Sequence, residues 1–194
     1  MNIVMNTPKY RDIFNKGKEL FWKYGIKRVT IEEICKEAGV SKMTFYKFFP
    51  NKIALVKAIL DEVFEGSIEE VNQLILSDIP FSNKLEKIFQ LKIEGTKNIS
   101  MELINDLYSN PELGLVNYMA GLQEKSMDVI VNFYKDAQDK GYIRKDIKID
   151  FILAYSFQVI KLMEDENLVS KYDEPQDLII EAMNFMFYGL LPRE

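Results

Sequence analysis

The residues best suited to chemistry concentrate in one stretch, GVSKMTFYKFFPNK, at residues 39–52. Lys42, Lys47 and Lys52 stand among Phe45, Tyr46, Phe48 and Phe49, with Ser41 and Thr44 alongside and no acidic residue between them. Ammonium groups at this density neutralise phosphates, while a lysine or a hydroxyl can also hydrogen-bond a base edge and Met43 can rest on a thymine methyl. This is the chemistry of recognising a polyanion, not of making or breaking bonds. The rest of the composition agrees. Histidine, the commonest general base and metal ligand, is absent. A single cysteine, Cys35, builds neither a structural zinc site nor an intrachain disulfide. The nine glycines form no GxGxxG or GxxxxGK[ST] loop for phosphates. No metal, cofactor or catalytic activity is expected.

Charge is divided along the chain. Residues 1–60 hold 12 Lys and Arg against 5 Asp and Glu, and the remaining residues hold 13 against 25, within a net charge of −5. A basic head on an acidic body suits a nucleic-acid binder with a second module. The N-terminal MNIVMNTPKYR has no apolar core of signal-peptide length, and no apolar segment is long enough to span a bilayer. The expected location is the cytoplasm, with no membrane partner.

Local signals place the basic stretch on helices. Pro8 can open a first helix whose apolar residues recur at three- and four-residue steps until Gly25. Thr30, with Glu33 three residues on, reads as a capping box for IEEICKEAG, and Cys35 falls on the apolar face of that helix. Gly39 stops it, and Ser41 caps KMTFYKFF, so the two short helices form a helix-turn-helix. A long helix follows Pro50, with Gly66 as a plausible kink point, and another is expected over roughly 112–140.

The run from Ile13 to Leu55 resembles the DNA-binding domain of TetR-like (TetR/AcrR) transcriptional regulators. It carries Leu20-Phe21, Gly25, Thr30, Ala38-Gly39-Val40-Ser41, Tyr46, Phe49 and Lys52 at the family's spacing. Gly17 stands where the family usually has alanine, and Met43 where it has glycine or alanine. The resemblance implies an all-α fold: a three-helix DNA-binding domain over residues 1–50 and a larger helical effector-binding and dimerisation domain over 51–194. It implies DNA contacts from Lys42, Met43, Thr44, Tyr46, Lys47 and Lys52, with Thr30 and Ser41 as helix caps that also reach the backbone. Phe45, Phe48 and Phe49 are expected in the core.

The body offers less. Phe89, Met101, Met119, Met127, Phe133, Tyr155 and Met163 are adaptable apolar side chains that can line a ligand pocket or fill a core. The segments from Phe151 and from Leu178 are apolar almost all round, and helices of that kind need burial on every side. Paired with a second copy they would close a four-helix interface through Phe151, Tyr155, Val159, Ile179, Met183, Met186, Phe187 and Leu190. The expected function is a homodimeric repressor released from a palindromic, double-stranded operator by a small apolar or amphipathic effector. An activator, a ligand-independent regulator of the same fold, and a protein-interaction module remain alternatives.

Overall fold

A computed structural model describes residues 7–96, 99–162, 166–172 and 175–190. Every regular element among them is a helix: α1 (Pro8–Tyr24), α2 (Ile31–Glu37), α3 (Lys42–Phe48), α4 (Lys52–Leu76), α5 (Phe81–Thr96), α6 (Met101–Tyr108), α7 (Val116–Asp139), α8 (Ile149–Leu162), α9 (Glu166–Val169) and α10 (Pro175–Leu190). The chain divides into two compact units. One contains residues 1–70 and 96–126, the other residues 71–95 and 127–194.

Helix boundaries in the first unit follow from capping. The Thr7 side chain accepts the Tyr10 N–H, Pro8 opens α1, and Gly25 closes it at φ 78° with its N–H on Phe21 O. Thr30 and Glu33 form the reciprocal capping box of α2. Ser41 accepts the Thr44 N–H at the start of α3. Between them Gly39, at φ 64°, turns the chain, and the Val40 N–H returns to Cys35 O at 2.9 Å. Each cap satisfies a backbone group that the helix itself leaves unpaired.

The core of this unit joins α1, α2 and α3 to the first half of α4, to α6 and to the start of α7. Ile13, Ile26, Ile34, Phe45 and Leu55 are wholly buried. Tyr10 stacks on Phe49 at 5.1 Å and meets Phe48 edge-on. Gly17 has a role beyond the loosened helix its propensity suggests. A Cβ there would lie 2.8 Å from Leu55 Cδ2, so the glycine is where α1 comes close to α4.

In the second unit, Leu85, Ile88 and Phe89 of α5 share a core with Phe133 and Tyr134 of α7, Ile152 of α8 and Met186 of α10. Phe81 stacks on Phe133 and on Tyr142. Gln138 closes the loop after α7 by donating to Arg144 O and Ile147 O.

One sequence expectation is revised. The helix expected from residue 112 starts at Val116, because Pro111–Leu113 form a 3-10 turn ended by left-handed Gly114. α4 is the one long helix expected after Pro50 and includes Gly66, since a single glycine costs a helix only about 1 kcal/mol and removes no hydrogen bond. Among the described residues no helix is long and apolar enough to cross a membrane.

Gly25 should be the least replaceable glycine. A Cβ on it would lie 2.9 Å from Glu102 Cβ and 3.0 Å from Asp106 Oδ2, on a backbone that L-residues avoid. Gly25→Ala is expected to cost about 2–3 kcal/mol in urea unfolding. Gly39→Ala, with open space around it, should lose only the left-handed strain of about 1–2 kcal/mol.

Candidate nucleic-acid interface

The two faces of α3 have opposite chemistry. Phe45 and, one turn on, Phe49 point into the core, and half-buried Phe48 packs beside them. Lys42, Met43, Tyr46 and Lys47 face outward, Met43 with 82% of its surface exposed, and Thr44 is half-exposed. The aromatic residues therefore hold the helix to its unit, and a row of cationic, hydroxyl and thioether groups is left for a partner. Tyr46 lies edge-on to Phe45 at 5.6 Å.

The outward residues differ in how free they are. Lys47 has no hydrogen-bond or ion-pair partner among the described residues. Lys42 is paired with Glu32 of α2, and each holds the other's pKa in favour of its charged form. Ser41 Oγ and Thr44 Oγ1 share a hydrogen bond of 3.0 Å. Thr30 accepts from the Glu33 N–H, while its own N–H and hydroxyl donate to Glu33 Oε2 at 2.8 and 3.0 Å. Those bonds hold the Glu33 carboxyl below its usual pKa. Both caps remain exposed at the surface.

Lys52 has a different setting from the one its position in the chain suggests. Its ammonium turns onto the α1–α2 turn and donates to Ile26 O and Val29 O, each at 2.6 Å. Burial pulls its pKa below the usual lysine value, partly offset by the nearby negative charges of Asp106 and Glu33. The N–H groups of the same turn go to Asp106 of α6, the one buried charged residue among the described residues. Asp106 Oδ2 accepts from Ile26 N at 2.6 Å and from Lys27 N at 2.9 Å. The Ser100 N–H, at the cap of α6, also returns to Trp22 O at 2.9 Å. The turn is thus held from one side by an ammonium and from the other by a carboxylate.

Sequence reasoning did not single out Asp106. The available signal was an acid on the apolar face of a short helix, between Leu103 and Leu107. Nor did it find the cation–ring contacts at the end of α1, where the Arg28 guanidinium of the following turn lies 4.2 Å over the Tyr24 ring and the Lys23 ammonium 5.0 Å from it.

The residues named for a pocket fall into separate groups. Phe89 and Phe133 are buried in the core of the second unit, with Tyr155 packed against it, and Met127 of the same unit is half-buried. Met119 is buried in the core of the first unit, and Met101 of that unit is 64% exposed. Met163 lies outside the described residues. Of the residues named for a dimer face, Phe151 is exposed, Tyr155 half-buried, and Met186 buried in its own unit's core. The side chains of Val159, Ile179, Met183, Phe187 and Leu190 lie outside the described ones. α10 presents Ile180, Phe185 and Tyr188 outward instead, the last two each 74% exposed.

Comparison with known proteins points the same way. Residues 13–59 match the family described as bacterial regulatory proteins, tetR family. The HTH-type transcriptional regulator UidR of Escherichia coli is 26% identical over 180 residues, covering 88% of this chain and 89% of UidR. The HTH-type transcriptional repressor DhaR of a Mycobacterium species is 20% identical over 96% of this chain and 94% of its own. The fold matches that of the fatty acid degradation regulator FadR from Bacillus halodurans, with a TM-score of 0.73 at 17% identity over 97% of this chain and 99% of FadR. It also matches a regulatory protein TetR from Rhodobacter sphaeroides, with a TM-score of 0.70 at 19% identity over 95% and 100%.

The doubly held turn is open to test by unfolding. Asp106→Ala leaves two N–H groups without their acceptor and should cost about 2–4 kcal/mol. Lys52→Met keeps the apolar stem, removes the donors and should cost about 1–3 kcal/mol. Because both act on one turn, the double variant should lose less than the two single losses combined. Strict additivity would mean that the two residues act separately.

Proposed function

The chain belongs to the TetR family of bacterial regulators, and from that premise we propose that it is a homodimeric transcriptional repressor, released from a palindromic operator by a small apolar or amphipathic effector. The observation that carries this reading is the division of α3: Phe45 is buried, while Lys42, Met43, Thr44, Tyr46 and Lys47 are turned outward or half-exposed. A helix of this kind enters the major groove with its outward residues on base edges and flanking phosphates. Lys42 and Lys47 serve guanine or phosphate, Thr44 a base or phosphate, Met43 a thymine methyl, and Tyr46 the backbone. Thr30 and Ser41 combine capping with backbone contact. Lys52 contributes by fixing the turn that precedes α2 and adds its charge to the field at the DNA surface.

Residues 1–50 form the DNA-binding part of this scheme, and residues 51–194 bind effector and partner. Two heads would enter successive major grooves roughly 34–36 Å apart. Phe185 and Tyr188 of α10 and Phe151 of α8 are exposed apolar side chains of the kind a second copy covers in a two-fold interface. Phe89, Phe133 and Tyr155 are the side chains that would meet an effector of matching polarity. Full release needs an effector preference of roughly 5 kcal/mol for the DNA-incompetent state. α4, whose residues belong to both units, is the element through which that preference reaches the head. The protein acts in the cytoplasm, where the DNA is.

The deciding experiment is selection of sites from random duplex DNA by the purified protein, followed by titration over a salt series. Recovery of a palindrome whose affinity falls steeply with salt is the expected result; salt-sensitive binding with no enriched sequence would defeat the proposal. Lys47→Ala should weaken operator binding and reduce the log–log salt slope by about one. Phe185→Asp should shift the protein from dimer to monomer in sedimentation at concentrations at least about 100-fold above the wild-type dissociation constant, because it buries an unpaired charge. Once an effector is found, it and the operator must weaken each other by the same factor. Equal effector affinity for free and DNA-bound protein would rule out induction.

A further inference from the structure

The two lysines of α3 are not equivalent. Lys47, in its last turn, has no partner among the described residues, whereas Lys42, its first residue, is bound by the Glu32 carboxylate from α2. No acidic residue occurs between Glu37 and Asp61, so the head's outward basic surface contains few counter-charges of its own. Glu33, next to Glu32, is committed to the Thr30 cap and cannot share the task. Glu32 takes no part in that capping box; its carboxylate also accepts its own N–H, and it lies on the surface, where ion pairs add little to folding. Its evident effect is on Lys42.

We propose that Glu32 is a specificity-determining residue, which holds the Lys42 ammonium against α2 so that it passes to DNA only where the operator supplies an acceptor good enough to replace the carboxylate. The inference rests on the DNA-binding reading above. At an arbitrary sequence, a phosphate must compete with Glu32 for the cation, and the carboxylate itself is repelled by the backbone. At the operator, a guanine edge or a well-placed phosphate offsets the exchange. Non-specific affinity is lowered more than specific affinity, and the ratio between them rises. Because each partner stabilises the other's charge, the restraint persists throughout the neutral range.

The test titrates wild type, Glu32→Gln, Lys42→Met and the double variant against the selected operator and a scrambled duplex over a salt series. Glu32→Gln should bind the scrambled duplex about 3- to 10-fold more tightly at low salt, with a slope steeper by about one. Its operator-to-scrambled ratio should fall, and the substitution should be silent in the Lys42→Met background. An unchanged ratio would overturn the proposal. So would a gain that survives in Lys42→Met, which would indicate general repulsion. Loss of operator binding alone would overturn it too, since Glu32 would then be reading a base itself. If wild type binds no duplex, the DNA-binding reading fails before this one is reached.

Discussion

Five residues, Gly25 to Val29, lead from the first helix to the cap of the helix-turn-helix, and Gly25, Ile26 and Val29 among them are buried in the unit. A buried N–H or C=O left unpaired costs as much as a lost hydrogen bond. Here the donors of Ile26 and Lys27 are met by Asp106, and the acceptors of Ile26 and Val29 by Lys52. Each ion sits on backbone dipoles, with the opposite charge nearby across the turn. That satisfies both and avoids the full penalty of burying a charge alone. The direction in which α2 and α3 leave α1 depends on this arrangement, and so does the outward face of α3. Gly25 makes it possible, because any side chain would occupy the space of Glu102 and Asp106.

The same economy governs α3. A seven-residue helix has too few backbone hydrogen bonds to be stable alone. Burial of Phe45 and Phe49 and stacking with Tyr10 keep it in place, leaving the other face polar at no cost to folding. Anchoring and recognition therefore use alternate residues of one short segment. The second unit separates its tasks in a similar way. On α10, Leu178, Ala182 and Met186 recur every four residues on the buried side, while Ile180, Phe185 and Tyr188 stay exposed.

That division on α10 shows where pattern reading has its limit. A segment apolar all round gives no periodicity from which to assign faces, so Met186 and Phe185 look alike until the fold puts one inside and the other outside. The same holds for the methionines and aromatics named for a pocket. Apolar side chains of adaptable shape fit a core or a cavity equally well, and Met101 and Met119, close in character, end at opposite extremes of exposure. By contrast, the limits of α3, the caps at Thr30 and Ser41 and the inward turn of its phenylalanines were legible beforehand. Each depends on residues within a turn or two of one another.

The sequence by itself determined the all-helical class, the helix-turn-helix and the identity of the basic residues presented on α3. These follow from helical periodicity, capping chemistry and spacing, all of which act over a few residues. Only the tertiary structure decided what those charges do. Lys52 is spent on carbonyls 23 and 26 residues away, Asp106 on amides 79 and 80 residues away, and Lys42 on a glutamate in the preceding helix. An ionic group takes whichever partner the folded chain brings within a few ångströms, and that distance has no signature in local sequence.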